Sequence, residues 1–247
     1  MTFSTAPGYG FADAWHAVAG GEPEYTGPLD PDVSRMLASY IGPGETVLDI
    51  AADDFAAVAA RAGAHVTVVD PSPGRLARVA DDARRYGVTV ETVRALWPHT
   101  ALPHHDVVVS VGTLRRHHDL PAALRAMVLH AGRLLLCADE AGAPAPHEQV
   151  LTALLGAPVT RPVPRHLLIA GTLAELGLTA DVRTVTAVRG VTGADEAELA
   201  ARVAGRTLPG PLAARLLDLL APMLSRTPSG HWQYRYPAQL GLVVCPV

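Results

Sequence analysis

The stretch ETVLDIAADDFAAV (residues 45–58) decides the fold. Its first six residues are a β-type run carrying an acid near its end, and they lead without a break into alanine-rich helical sequence. A strand turning straight into a helix is the opening unit of a doubly wound α/β sheet, whose ligands sit at the carboxyl ends of the strands. At that turn such folds place glycines, which allow close backbone approach and positive φ. Here the turn reads Ala51-Ala52-Asp53-Asp54.

The same rhythm continues on either side. The pattern predicts strands over 45–50, 65–70, 88–93, 106–111 and 132–139, with helices over 53–62, 72–86 and 119–130 between them. Ser72 is the expected cap of the second helix, with Gly63 and Gly87 as stops for the first and second. Short apolar strands between helices indicate a parallel sheet covered on both faces. Helices over 11–19 and 31–40 come before this core, the latter with Pro31 behind a capping Asp30. After it the pattern loosens into helices over 147–155 and 165–176 and a sixth strand over 180–188. Helices over 194–204 and 211–224 follow, then a last strand over 239–245 with Pro237 marking its start. The expectation is one domain over 1–247. It comprises a helical arm (1–40), a doubly wound α/β core (41–189), a helical insertion (190–230) and a terminal strand (231–247).

Composition narrows the function classes. At 247 residues, 49% hydrophobic and 18% charged, the chain can bury a substantial core and is not a disordered composition. A formal net charge of -4 without a basic stripe argues against nucleic acid as a partner. No apolar run approaches the roughly 20 residues that span a bilayer. The start MTFSTAPGYG has neither a basic region nor an apolar signal core, so a cytoplasmic protein is expected. Cys137 and Cys245 read as buried free thiols. His104-His105 and His117-His118 read as solvated loop histidines, because no HExxH or CxxC spacing accompanies them, and no metal site is expected. His117 and His118 are also the weak candidates for a general base. No GxSxG, GxxxxGK[ST] or GxGxxG motif is present.

Asp70 ends the second strand about 20 residues after the first turn, where a carboxylate can accept both hydroxyls of a ribose. It also sits at the start of Asp70-Pro71-Ser72, which opens the next helix. With VLD (47–49), HVTVVDPSPGRL (65–76), Trp97-Pro98 and DVVVSVGTL (106–114) in this order, the chain resembles the class I S-adenosylmethionine-dependent methyltransferases, in particular bacterial small-molecule-type members. The resemblance covers about residues 45–139 and implies a Rossmann-like α/β/α sheet of about seven strands, the last antiparallel. It implies S-adenosylmethionine as cofactor, held by Asp49, Ala51, Asp70, Pro71, Ala95, Leu96, Trp97 and Ser110. In that assignment Asp70 takes the ribose, residues 95–97 flank the adenine, and Ser110 to Leu114 border the transferred methyl.

The sequence departs from the family's pattern at three places around this one ligand. AADD replaces the glycine loop, Ala95 replaces a glycine or polar residue, and Gly112 and Arg115 stand where a His or Asn and an aromatic residue are usual. Two readings therefore stand side by side. One is a methyltransferase acting on a small-molecule acceptor. The other is a catalytically inactive relative, its cofactor lost, serving as a binding or partner subunit in a homodimer or beside an active enzyme. Phe11, Trp15 and Tyr25 are possible lid residues, though aromatic residues at these spacings are more often packing.

Overall fold

The structure, a computed structural model, describes residues 29–50, 55–100, 102–142, 144–156 and 164–247. The helix expected over 11–19, with Phe11, Trp15 and Tyr25, lies outside the described residues, as do Ala51 and the rest of the AADD loop. The expected alternation is present. Helix α1 (Pro31–Ala38) leads into β1 (Thr46–Ile50), α2 (Phe55–Arg61), β2 (His65–Asp70), α3 (Pro73–Arg85) and β3 (Glu91–Arg94). Then come β4 (His105–Val111), α4 (Leu120–His130), β5 (Ala131–Glu140), α5 (Pro146–Leu155) and α6 (Arg165–Glu175). The chain ends with β6 (Asp181–Gly193), α7 (Glu196–Ala204), α8 (Gly210–Leu220), β7 (Leu224–Arg226) and β8 (Trp232–Pro246).

These strands form one sheet in the order β3-β2-β1-β4-β5-β8-β6, with β7 paired to β8 off that path. Strands β1 to β5 run parallel, and β8 lies antiparallel between β5 and β6. The expected doubly wound architecture with an antiparallel last strand is thus the one observed. Side chains alternate between two cores, as the two-residue period of a strand requires. Val47, Val66, Val68, Val107 and Val109 pack beneath α1 to α3 against Phe55, Ala56 and Leu76. Leu48, Ile50, Val108 and Leu135 face the opposite side and meet Leu120, Leu124 and Met127 of α4 and Ile169 and Leu173 of α6. Cys137 and Cys245 are buried there as free thiols, as expected.

Four boundaries differ from expectation by three residues or more. The third strand begins at Glu91 instead of 88, because the Val88 N–H donates to the Ala83 carbonyl and closes the end of α3. The helix expected over 211–224 stops at Leu220, since Pro222 cannot continue it. Ala221–Met223 form a 3-10 turn and Leu224–Arg226 become strand β7. Strand β6 continues to Gly193, and β8 begins at Trp232 and runs through Pro237. The proline is tolerated there because Val188, its partner in register, turns its own N–H outward to the Asp30 carboxylate at 2.7 Å. The pair makes no bond across the ladder, and the missing Pro237 N–H faces a gap between β5, which reaches Leu240, and β7, which starts opposite Tyr234. The same Asp30 carboxylate accepts from the Asp32 N–H, so it caps α1 and covers part of the sheet edge together.

Because β6 is parallel to β5, its last residues, 186–193, stand beyond the carboxyl edge of the parallel strands. With residues 232–239 of β8 they form a wall there. A third core fills it, built from Leu199, Ala200 and Val203 of α7, Leu216 and Leu220 of α8, and Tyr234 of β8.

Candidate functional site

The sheet order reverses between β1 and β4, which places the crevice of a doubly wound fold at the carboxyl ends of these two strands. A chain of buried hydroxyls fixes that point. Thr113 Oγ1 donates to the Ile50 carbonyl at 2.9 Å, which leaves Ser110 Oγ to donate to Thr113 Oγ1 at 2.7 Å. Gly112 adopts a φ of 62°, and its N–H donates to the Ala138 carbonyl of β5 at 2.7 Å. Only such a left-handed turn lets the chain double back here, and Gly112 supplies it without steric cost. Ser110 is therefore engaged in joining the ends of β1 and β4.

Asp70 stands at the tip of β2, with only β1 between it and the switch point, and its side chain is 0% exposed. Its Oδ1 accepts the Ser72 N–H at 2.7 Å. The Arg75 Nε–H lies 3.1 Å from Oδ1 and 3.0 Å from Oδ2, so one guanidinium spans both oxygens. Arg75 belongs to the first turn of α3, where the helix dipole disfavours a cation. Asp70 offsets that cost, and the pair ties helix to strand. A ligand approaching this carboxylate would meet Arg75 on both of its oxygens.

The other expected site residues are scattered in environment. Asp49 is fully buried within β1, in register with Val68 and Val109. Pro71 is exposed, Ala95 partly buried, and Leu96 58% exposed. Trp97 is 4% exposed and packs in the core beneath α4, its ring 5.5 Å from that of His130. Its indole N–H has no hydrogen-bond partner among the described residues. His117 is half-buried and His118 exposed just past the 3-10 turn Leu114–Arg116. His105 departs from the solvated reading: it is 7% exposed, as the first residue of β4, with Nδ1 2.9 Å from the Pro103 carbonyl oxygen. Among the described residues no group of three or more His, Cys, Asp or Glu could hold a metal ion.

Polar pairs that sequence reasoning missed line the carboxyl end of β5. The Asp139 carboxylate receives the Arg165 Nε–H at 2.7 Å, with side chains only 1% and 4% exposed. Next to it Arg189 of β6 reaches Glu140 at 2.6 Å, and His166 Nδ1 lies 3.2 Å from the Glu140 carbonyl oxygen. These contacts dock α6 and β6 against the strand. One signal was available. Arg165, like Arg75, opens a helix that has no acidic residue in its first turn, and such an arginine calls for an acid nearby.

In the wall above, His147 of α5 meets two stacked tyrosines, its Nδ1 3.3 Å from the Tyr234 hydroxyl and its ring edge-on to Tyr236. Burial pulls the imidazole pKa down from 6.5 to about 4 and pushes the Tyr234 phenol up. Because the folded pKa lies below the unfolded one, the contribution is complete above about pH 6.5 and is lost as pH falls toward 4. His147→Gln should flatten the stability–pH curve in this window by about 2 kcal/mol, allowing for solvent near the ring. Urea unfolding at pH 7, 5.5 and 4.5 checks this, and an unchanged slope would remove His147 as the cause.

The sequence matches no protein-family model and no curated protein. Solved structures do match in shape. A SAM-dependent methyltransferase from Geobacter sulfurreducens, in complex with S-adenosyl-L-homocysteine, superposes with a TM-score of 0.54 at 16% identity, over 95% of this chain and 98% of that one. Magnesium protoporphyrin IX methyltransferase from Synechocystis PCC 6803 gives 0.51 at 16% identity, over 86% and 80%. Precorrin 8w decarboxylase from Methanobacterium thermoautotrophicum gives 0.52 at 14% identity, over 90% and 94%. At such identities the likeness concerns the fold, and the chain has the Rossmann-like fold of the SAM-dependent methyltransferases.

Proposed function

We propose that this protein binds S-adenosylmethionine across the β1–β4 crevice and acts as a methyltransferase on a small-molecule acceptor. The observation that carries the reading is Asp70, a carboxylate at the tip of β2 beside the switch point, on a fold whose solved examples include cofactor-product complexes. When bound, the cofactor supplies an electrophilic methyl group. The chain's part is to hold donor and acceptor in line at short range, with Asp70 fixing the ribose and the Ser110–Thr113–Ile50 clamp holding the strand ends rigid.

Titration of the whole protein with S-adenosylmethionine and S-adenosylhomocysteine by calorimetry tests this. Saturable binding is expected, weakened at least tenfold in Asp70→Ala through loss of a charged hydrogen-bond acceptor. A folded protein that gives no heat at millimolar ligand would overturn the reading. The second reading, an inactive relative kept as a binding or partner subunit, is favoured by one observation: Arg75 already spans the carboxylate that the ribose would use. That same null titration, with a partner recovered on the folded chain, is the outcome it requires.

A further inference from the structure

We propose that Arg75 is an internal competitor for the ribose site: its guanidinium holds the Asp70 carboxylate shut, and a nucleoside ligand enters by displacing it. The inference rests on the cofactor-binding reading and adds the residue that sets the affinity.

A carboxylate offers about four lone-pair positions. On Asp70 the Ser72 N–H takes one of them on Oδ1, and the Arg75 Nε–H bridges both oxygens. With the Asp70 side chain 0% exposed, no remaining position faces solvent, so two ribose hydroxyls cannot be added to this arrangement. They can replace part of it. The Ser72 bond comes from backbone at the start of α3 and is fixed by the fold. Arg75 is the movable member, because its side chain is 24% exposed and reaches the acid along a flexible stem. Swinging outward, the guanidinium meets water and leaves the first turn of α3, where the dipole opposes it. Two hydroxyl donors then take over the oxygens it releases. The exchange of a charged donor for neutral ones makes occupation by the ligand weaker than at an unpaired acid.

The variant Arg75→Gln tests this, with S-adenosylhomocysteine as the probe and calorimetry on the whole protein as the readout. The exchange predicts that Arg75→Gln binds the probe about tenfold or more tightly than the native chain, since a charge-assisted hydrogen bond no longer opposes entry. In Asp70→Asn/Arg75→Gln the gain should vanish. A merely structural pair cannot produce this pattern, because loosening a docked helix does not tighten a ligand. Equal affinity in the native chain and Arg75→Gln overturns the competition while leaving the cofactor reading intact. Weaker binding in Arg75→Gln also overturns it, and makes Arg75 a residue that positions the ligand. No binding by either, with the thermal unfolding of both cooperative, overturns the competition and the cofactor reading together.

Discussion

Arg165→Met is expected to lower the unfolding free energy by about 3–5 kcal/mol, measured by urea denaturation at pH 7. The partner left behind explains the size. Asp139 is 1% exposed at the carboxyl end of β5, and Arg165 brings the Nε–H that lies 2.7 Å from its Oδ1. Remove the guanidinium and the carboxylate must either stay charged in an apolar surrounding or take up a proton. Methionine keeps most of the volume, which separates the electrostatic cost from a cavity. Replacing both partners, Asp139→Asn with Arg165→Met, should recover a large part of the loss, because a neutral amide is much less costly to bury than an unpaired charge. If the single variant lost less than about 1 kcal/mol, the pair would be no more than a surface ion pair in its energetics.

The second large effect is steric. A methyl group on Gly241 would lie 1.9 Å from His166 Cγ and 2.4 Å from His166 Cβ, distances no real contact shows. Rotating the imidazole does not help, since its own Cβ is part of the clash. Either β8 bends or α6 lifts off the sheet, and lifting α6 also draws Arg165 away from Asp139. Gly241→Ala should therefore cost about 3 kcal/mol in the same urea experiment. Combined with Arg165→Met the losses should fall short of additive, because both act on the docking of one helix. Adding His166→Ala should restore only part of the loss, as its Cβ remains. A loss below 1 kcal/mol would show that α6 sits more loosely on β8 than these contacts imply.

Most of the fold was legible because strand and helix signals in this chain are local. HVTVVD is a strand between a helix stop and a capped helix, and the structure keeps those bounds to the residue. The largest error arises where a boundary depends on a neighbour distant in sequence. Pro237 reads as a strand start on its own, yet the Asp30 carboxylate, far away in the chain, satisfies its cross-strand partner and the strand runs on. The candidate site was legible as a place but less so as chemistry. Asp70 stands at the expected strand tip, whereas the arginine on its carboxylate follows from a helix turn folding back upon the strand. Trp97 shows the other side of this. Its sequence position after β3 points to the crevice, but the loop carries its ring down beneath α4 to meet His130.

The two long strands of the wall have a mechanical consequence. β8 is a central strand of the sheet from Leu240 onward and a strand of the wall before it, and β6 passes from one to the other without a break. A cap joined by loops can swing about a hinge, but this one has its pivot inside a continuous ladder of backbone hydrogen bonds. The wall is a cantilever, clamped along the sheet, and any change in the sheet's twist is carried directly into the part that stands beyond its carboxyl edge.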